Sequence, residues 1–412
     1  MSVQRSSRNW AFALFAIALV IAPLVFRSSL ATTVLSQIGY TIIICLSFNI
    51  LLGQGGMLSF GHAVYTGLGA LLTVHVLQTF AIPLVWMPLV GGLGGAGIAV
   101  LLGYVSTRKS GSTFAMITLG LGELVAALAL MFPQWFGGEG GISINRVYGT
   151  PWLGLSFGPA IQVYYLIAAY CFACTVAMYA FTKTPLGQLL NAVRDNPQRA
   201  EFIGYNPQRV RYLAFIIAGF FAGIGGALAT IHFEIFSAAD SLGMARSGSW
   251  LVFTFLGGTT VFFGPMIGAV LLVCSTVLLS GLTKAWLLYL GLIFIVMVMY
   301  APGGVASLLV NHGRMARSGA LRTLWPAYLA TVLAALLAFT GASALIEMLY
   351  HHQFDAMFGP SVEFLGITLN TAVWQHWAAA AAVTLIGWAL FETARKHLAG
   401  RLSVLQPEEA AA

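Results

Sequence analysis

Few side chains in this 412-residue sequence could do chemistry, and most of those stand alone. Ser59 and His62 lie three apart in "LLGQGGMLSFGHAVYTGLGA" (51–70), a spacing that puts a nucleophile and a base on one helix face. A hydrolase also needs a group to orient the base, and none accompanies them. Cys171 and Cys174 share a face too, but tetrahedral zinc takes four ligands and no His or further Cys stands beside them. Packing is their expected role, as it is for Cys45 and Cys274. His351 and His352, with Asp355 nearby, suggest a metal only at first sight, because adjacent residues on a helix point apart. There is no G-x-x-x-x-G-K-[ST] loop and no Gly-Lys pair, so a nucleotide's phosphates have no cradle of that kind here.

The elements that would position these residues follow from composition. Hydrophobic residues make up 59% of the chain and charged ones 8%, with mean hydropathy +0.89. Soluble domains run at about 25% charged, so this chain cannot cover its own surface in water. The expected fold class is all-α, a polytopic transmembrane bundle, because inside lipid each helix pairs its own backbone amides. Apolar runs give twelve candidate spans: 10–26, 35–53, 57–78, 84–105, 112–132, 161–181, 211–231, 248–264, 265–282, 286–303, 326–346 and 372–391.

With a cytoplasmic N-terminus, fifteen of the nineteen Lys and Arg fall on the cytoplasmic side of these spans. Basic residues favour that side, so the pI near 9.3 reports topology and not a nucleic-acid partner. Both termini are expected inside. The organisation expected is a ten-span membrane domain (1–303), a basic cytoplasmic linker (304–325), and a two-span extension with a short tail (326–412). Two Gly-rich breaks, 51–70 and "FLGGTTVFFGPMIGA" (255–269), lie about 200 residues apart and hint at an internal repeat.

Polar residues inside such spans are costly and functional by default. Glu123 is the only deeply placed carboxylate on this span assignment. It reads either as a pathway residue or as a packing anchor bonded to a neighbouring helix. Asn49, Gln54, Ser59 and His62 flank the first Gly-rich break, where they either line a pathway or bond the interrupted backbone. His75 reads as interfacial.

One stretch departs from the rest: "KTPLGQLLNAVRDNPQRAEFIGYNPQRVR" (183–211), with seven charges in 29 residues. Leu186, Leu189, Leu190 and Val193 take helical spacing, and Thr184-Pro185 suits a helix start. Asn196-Pro197 interrupts that helix. A second piece, Gln198 to Phe202, ends near Gly204, which suits a left-handed cap, and Asn206-Pro207 closes the unit. Two short capped helices are expected on the cytoplasmic face. Resting among headgroups or docking a soluble partner are the two readings, and the defined shape favours docking.

Residues 184–228 closely resemble the LivM-type permease subunits of branched-chain amino acid ABC transporters. The family pattern G-x-x-x-x-A-x-R-(D/E)-x-x-x-A-E-x-x-G is met by Gly187, Ala192, Arg194, Asp195, Ala200, Glu201 and Gly204. "FNILLGQGGMLSFGHAVYTGLGA", "STFAMITLGLGELV", "FGGEGGIS", "FLGGTTVFFGPMIGA" and "YAPGGV" match in order, so the resemblance covers roughly 35–305. Arg199 stands where the family usually has a small residue, and residues 306–412 add two spans the family usually lacks. The resemblance implies a multi-pass bacterial inner-membrane importer with a second, LivH-like permease, two cytoplasmic ATPases and a periplasmic solute-binding protein. It implies no enzyme activity and no cofactor in this chain, with ATP and Mg on the partner ATPases. It assigns ATPase coupling to Arg194, Asp195, Ala200, Glu201 and Gly204. The solute would be a branched-chain or hydrophobic amino acid, or a related neutral or zwitterionic molecule such as urea, an amide or an aromatic acid. The rival is a proton-coupled secondary transporter of about twelve spans, but the basic G-x-x-x-D-R-x-G-R-R-like turn expected of one after span two is missing.

Overall fold

A computed structural model describes residues 2–80, 82–147, 154, 156–317, 320–354, 359–364 and 366–410. The chain runs α1 (Ser2–Val25), α2 (Ser29–Asn49), α3 (His62–Thr79), α4 (Met87–Ser106), α5 (Gly111–Met131), α6 (Pro133–Phe136) and β1 (Ile142–Ser143). Next come α7 (Ala160–Lys183), α8 (Pro185–Asp195), α9 (Pro197–Phe202), α10 (Pro207–Phe233), β2 (Ile235–Phe236) and α11 (Ala238–Leu242). Then follow α12 (Met244–Gly257), α13 (Gly264–Cys274), α14 (Ser280–Leu282), α15 (Trp286–Tyr300) and α16 (Gly304–Arg317). The chain ends with α17 (Ala320–Phe354), β3 (Ser361–Phe364), β4 (Ile367–Asn370) and α18 (Trp374–Ala410).

The helical bundle is as expected, but the spans are less uniform. Among the described residues seven helices are long and apolar enough to cross a membrane: Ser29–Gln54, Leu84–Ser106, Gly111–Met131, Ala160–Lys183, Pro207–Phe233, Leu324–Phe354 and Trp374–Arg401. The stretch expected at 248–264 is instead α12, of 14 residues, and the one expected at 265–282 starts as α13 and runs on through a π-helical turn, a shorter apolar helix over Gly264–Leu279. Each falls short of the ~20 residues that a crossing needs, and the glycines between them end α12 and begin α13. Residues 304–317, expected as linker, are helical and bent by 50° from α15. Val305, Leu308 and Leu309 recur there at helical spacing, which gives α16 an apolar side.

The chain forms two compact units. The first comprises Met1–Leu279 and Ile293–Ser307, and it is built around α10. Small residues let backbones approach closely in membranes, and here they do. A Cβ on Gly223 would lie 2.9 Å from the backbone carbon of Gly91 and 3.1 Å from Gly95 Cα. One on Gly226 would lie 2.7 Å from the backbone carbon of Thr66. Hence α3, α4 and α10 cross through glycine. The segments after α6 and α10 pair as a two-stranded ribbon, Ile142↔Phe236 and Ser143↔Ile235, and Arg146 Nε stands 3.5 Å from Glu234 Oε1 beside it.

The second unit comprises Ser280–Leu292 and Leu308–Ala412. There α17 and α18 run antiparallel, joined through the β3–β4 hairpin whose outermost pair is Ser361↔Asn370. Gly341 and Gly387 let them touch: a Cβ on either would fall 2.6 Å from the partner backbone, at Thr384 N and Ala338 Cα. Glu347 accepts from Thr283 Oγ1 (2.5 Å) and from the Tyr289 hydroxyl (2.9 Å). This corrects the expectation that Glu123 is the only deeply placed carboxylate: α17 continues to Phe354, past the expected end at 346, and carries Glu347 within the span.

Candidate functional site

The charged strip folds as two capped pieces. Thr184 Oγ1 accepts from Gly187 N (3.2 Å) at the start of α8. Asn196 Oδ1 accepts from Arg199 N (2.9 Å) at the start of α9, and Asn206 Oδ1 from Arg209 N (3.1 Å) at the start of α10. Each cap is followed by proline at the first helical position, whose missing N–H would have been unpaired there anyway. Helix α9 ends in a Schellman motif: Gly204 N donates to Glu201 O (2.9 Å) and Tyr205 N to Ala200 O (3.1 Å), with Gly204 at φ +90°.

Burial sorts the residues of the strip. Leu190, Val193 and Ala200 are buried against the bundle, so Ala200 holds α9 down and does not present itself to a partner. Arg194, Asp195 and Glu201 are exposed. Arg194 Nε pairs with Asp195 Oδ1 at 2.9 Å. The sequence reading missed the apolar knob beside these charges: Phe202 is 91% exposed, Ile203 66% and Tyr205 50%. Its only signal in the sequence was a run of large apolar residues at the end of a short polar helix.

The strip also grips the first Gly-rich break. After Asn49, α2 widens into a π-helical turn (Ile50–Gln54) and then loses helical form until His62. Asn191 Nδ2 of α8 donates to Gln54 Oε1 (2.9 Å), and Arg194 donates to the Gly53 carbonyl. Gly56 sits at φ +61° directly beneath the Arg194 stem, where a Cβ would fall 2.7 Å from Arg194 Cγ. Further along the break, Thr118 Oγ1 of α5 accepts from Phe60 N (3.2 Å). Ser247 Oγ of α12 accepts from Ala63 N (2.9 Å). The second Gly-rich break meets the first: a Cβ on Gly53 would lie 2.6 Å from the Thr259 carbonyl.

The remaining expected residues separate. Asn49, Ser59 and His62 are buried. His62 Nε2 bonds Ser47 Oγ (2.9 Å), and its ring stands edge-on to Phe48 at 5.0 Å. Asn49 Oδ1, Ser59 Oγ and His62 Nδ1 meet no hydrogen-bond partner among the described residues. Of the two readings for this group, backbone bonding holds for neither Asn49 nor His62, while Gln54 bonds a side chain of the strip. Glu123 is exposed on α5 and has no ion-pair or hydrogen-bond partner among the described residues. It is therefore not a packing anchor within this chain. His75 bonds the Trp135 carbonyl (2.9 Å). Cys45, Cys171 and Cys174 are buried and free. Asp355 lies outside the described residues, and His352 stands edge-on to Trp377.

The family described as branched-chain amino acid transport system, permease component, matches residues 30–302. The chain is 28% identical over 286 residues to the high-affinity branched-chain amino acid transport system permease protein LivM of Escherichia coli (strain K12), covering 64% of this chain and 67% of that one. It is 28% identical over 316 residues to LivM of Salmonella typhimurium, covering 71% and 73%. The galactose/methyl galactoside import permease protein MglC of Haemophilus influenzae is 25% identical over 272 residues, covering 63% and 79%. No solved structure matches the chain. A multi-pass helical bundle whose first unit coincides with that family match is thus placed: the chain belongs to the branched-chain amino acid transport system permease family, and is an ABC transporter permease of that type.

Proposed function

We propose that this chain is one of two permeases in an importer of the bacterial inner membrane that carries branched-chain or other small neutral or zwitterionic solutes. The second permease is LivH-like, two cytoplasmic ATPases hold ATP and Mg, and a periplasmic binding protein delivers the solute. Helices α8 and α9 dock an ATPase through Asp195, Glu201 and the Phe202–Ile203–Tyr205 knob. Arg194 and Gly204 shape the dock from behind.

One observation carries this reading. The exposed strip is tied by Asn191–Gln54 and Arg194–Gly53 to the broken end of α2. Such a tie lets a push on the strip bias a two-state element inside the membrane. The break is poised for that, since interrupted helices in membranes occur where they line a cavity. Asn49, Ser59 and His62 sit on or beside it with polar atoms that meet no hydrogen-bond partner among the described residues, and Glu123 is exposed on α5. A carboxylate on a lipid-facing surface is costly, which supports covering that face of α5.

The relatives' solutes include branched-chain amino acids, galactose and nucleosides. The LivM similarity favours amino acids. Uptake into vesicles holding both permeases, the ATPases and the binding protein tests the proposal: ATP-dependent accumulation of leucine-like solutes is expected. Accumulation without ATP, driven by a proton gradient, would overturn it in favour of a secondary transporter.

A further inference from the structure

The second unit contains a feature that transport does not use. A groove of about 480 Å³ opens between α17 and α18. Its walls come from two helix faces that run side by side: Ala330, Leu333 and Leu337 on α17, and Leu390, Ala394 and His397 on α18. Both sets keep the i, i+3, i+4, i+7 spacing of a single face, so the groove follows the helix axes for about 10 Å at 1.5 Å per residue. Alanines give it a low floor and partly exposed leucines form its rims. Thr393, also in the lining, turns its hydroxyl back to the carbonyls of Ala389 and Leu390 and adds no polarity.

One end of this groove is cationic. Leu324 and Ala327 of α17 pack on Leu398 of α18, with Met315 of α16 and Tyr328 against them, so the start of α17 and the ends of α16 and α18 share that end. His397 lies at the mouth, and Arg401 follows four residues later on the same face of α18, about 6 Å further along the axis. Arg401 is exposed, has no partner among the described residues, and closes the candidate span Trp374–Arg401. Among the described residues the neighbouring cations are engaged: Arg395 makes two bonds to Glu392 (2.8 and 3.1 Å), and Lys396 stands 3.5 Å from the same carboxylate. Arg314 is held by Asn311 Oδ1 (2.9 Å).

We infer that this groove is a binding site for an anionic phospholipid: one acyl chain lies along the Ala/Leu channel, and the phosphate sits between His397 and Arg401. Two arguments select this occupant. Both helices are apolar and long enough to cross a bilayer, so lipid is what bathes the groove. Apolar packing gives no preference among lipids, because a tail left in the bilayer is equally apolar; the preference comes from one unpaired cation at headgroup depth, as charge complementarity requires. A neutral helix from a second protein would leave Arg401 unanswered.

Native mass spectrometry of the full-length chain in detergent, titrated with dioleoyl phosphatidylglycerol or dioleoyl phosphatidylethanolamine, tests the site. The unaltered protein should bind phosphatidylglycerol about fivefold more tightly, the ~1 kcal/mol expected of one cation beside an anionic headgroup. Arg401→Gln should abolish that preference while weak binding of both lipids persists. Ala330→Trp, at an exposed position in the groove lining, should fill the channel and lower occupancy by both. Equal affinities in the unaltered protein would overturn the inference, as would a preference that survives Arg401→Gln or occupancy that survives Ala330→Trp.

Discussion

Phe202 is a large ring, 91% exposed at the end of a six-residue helix, and none of the described residues covers it. Exposed aromatics flanked by charge are typical anchors of protein interfaces, where truncation costs 2 kcal/mol or more. Phe202→Ala should therefore weaken ATPase binding about 30-fold and leave the melting temperature of the isolated permease unchanged; co-purification and a thermal scan check both. Glu201→Arg should uncouple ATP hydrolysis from uptake in vesicles, with the permease still folded. Normal coupled transport in both variants would reduce the strip to an interfacial helix. The tie behind it is open to a double-mutant cycle. Asn191→Leu and Gln54→Leu each remove one side of a single hydrogen bond, so their effects on uptake rate should be non-additive, with a coupling of about 0.5–3 kcal/mol. Additive losses would mean the bond transmits nothing.

At the scale of elements, glycine decides which helices can meet. Gly223 faces backbone on α4, so Gly223→Ala has nowhere to place a methyl and must push α4 and α10 apart. A loss of about 1–3 kcal/mol is expected, as for other overpacked interiors, read as a lower melting temperature in detergent. Gly120 on α5 is the contrast: no atom lies within 4 Å of its would-be Cβ. Gly120→Ala should be neutral or raise stability by up to ~1 kcal/mol in the isolated chain. The strip obeys local rules. Its caps span three residues, so the Asn-Pro pairs and Gly204 were legible as punctuation, and the structure places both short helices where that punctuation puts them. The exposed knob was not legible, because whether Phe202 is covered depends on everything that packs around it.

For the whole molecule, the prediction concerns energy source and cargo. Uptake should require ATP and the separate ATPase subunits, and leucine-like solutes should outcompete galactose and nucleosides at equal concentration; competition assays in the reconstituted system decide the order. Composition determined that this chain lives in a membrane, since 8% charge cannot solvate a surface, and ordered motifs over 35–305 pointed to the family. Capping residues determined the shape of the strip, because a cap needs only its own next turn. Tertiary structure alone decided what the strip is fastened to. Gln54 and Asn191 are 137 residues apart, and Gly53 and Thr259 lie further apart still, so no local pattern joins them. It also decided that Glu123 faces outward while Glu347 is bonded within the second unit. Hydropathy marks how deep a residue lies in the bilayer, but which way it faces is set by the helices that pack beside it.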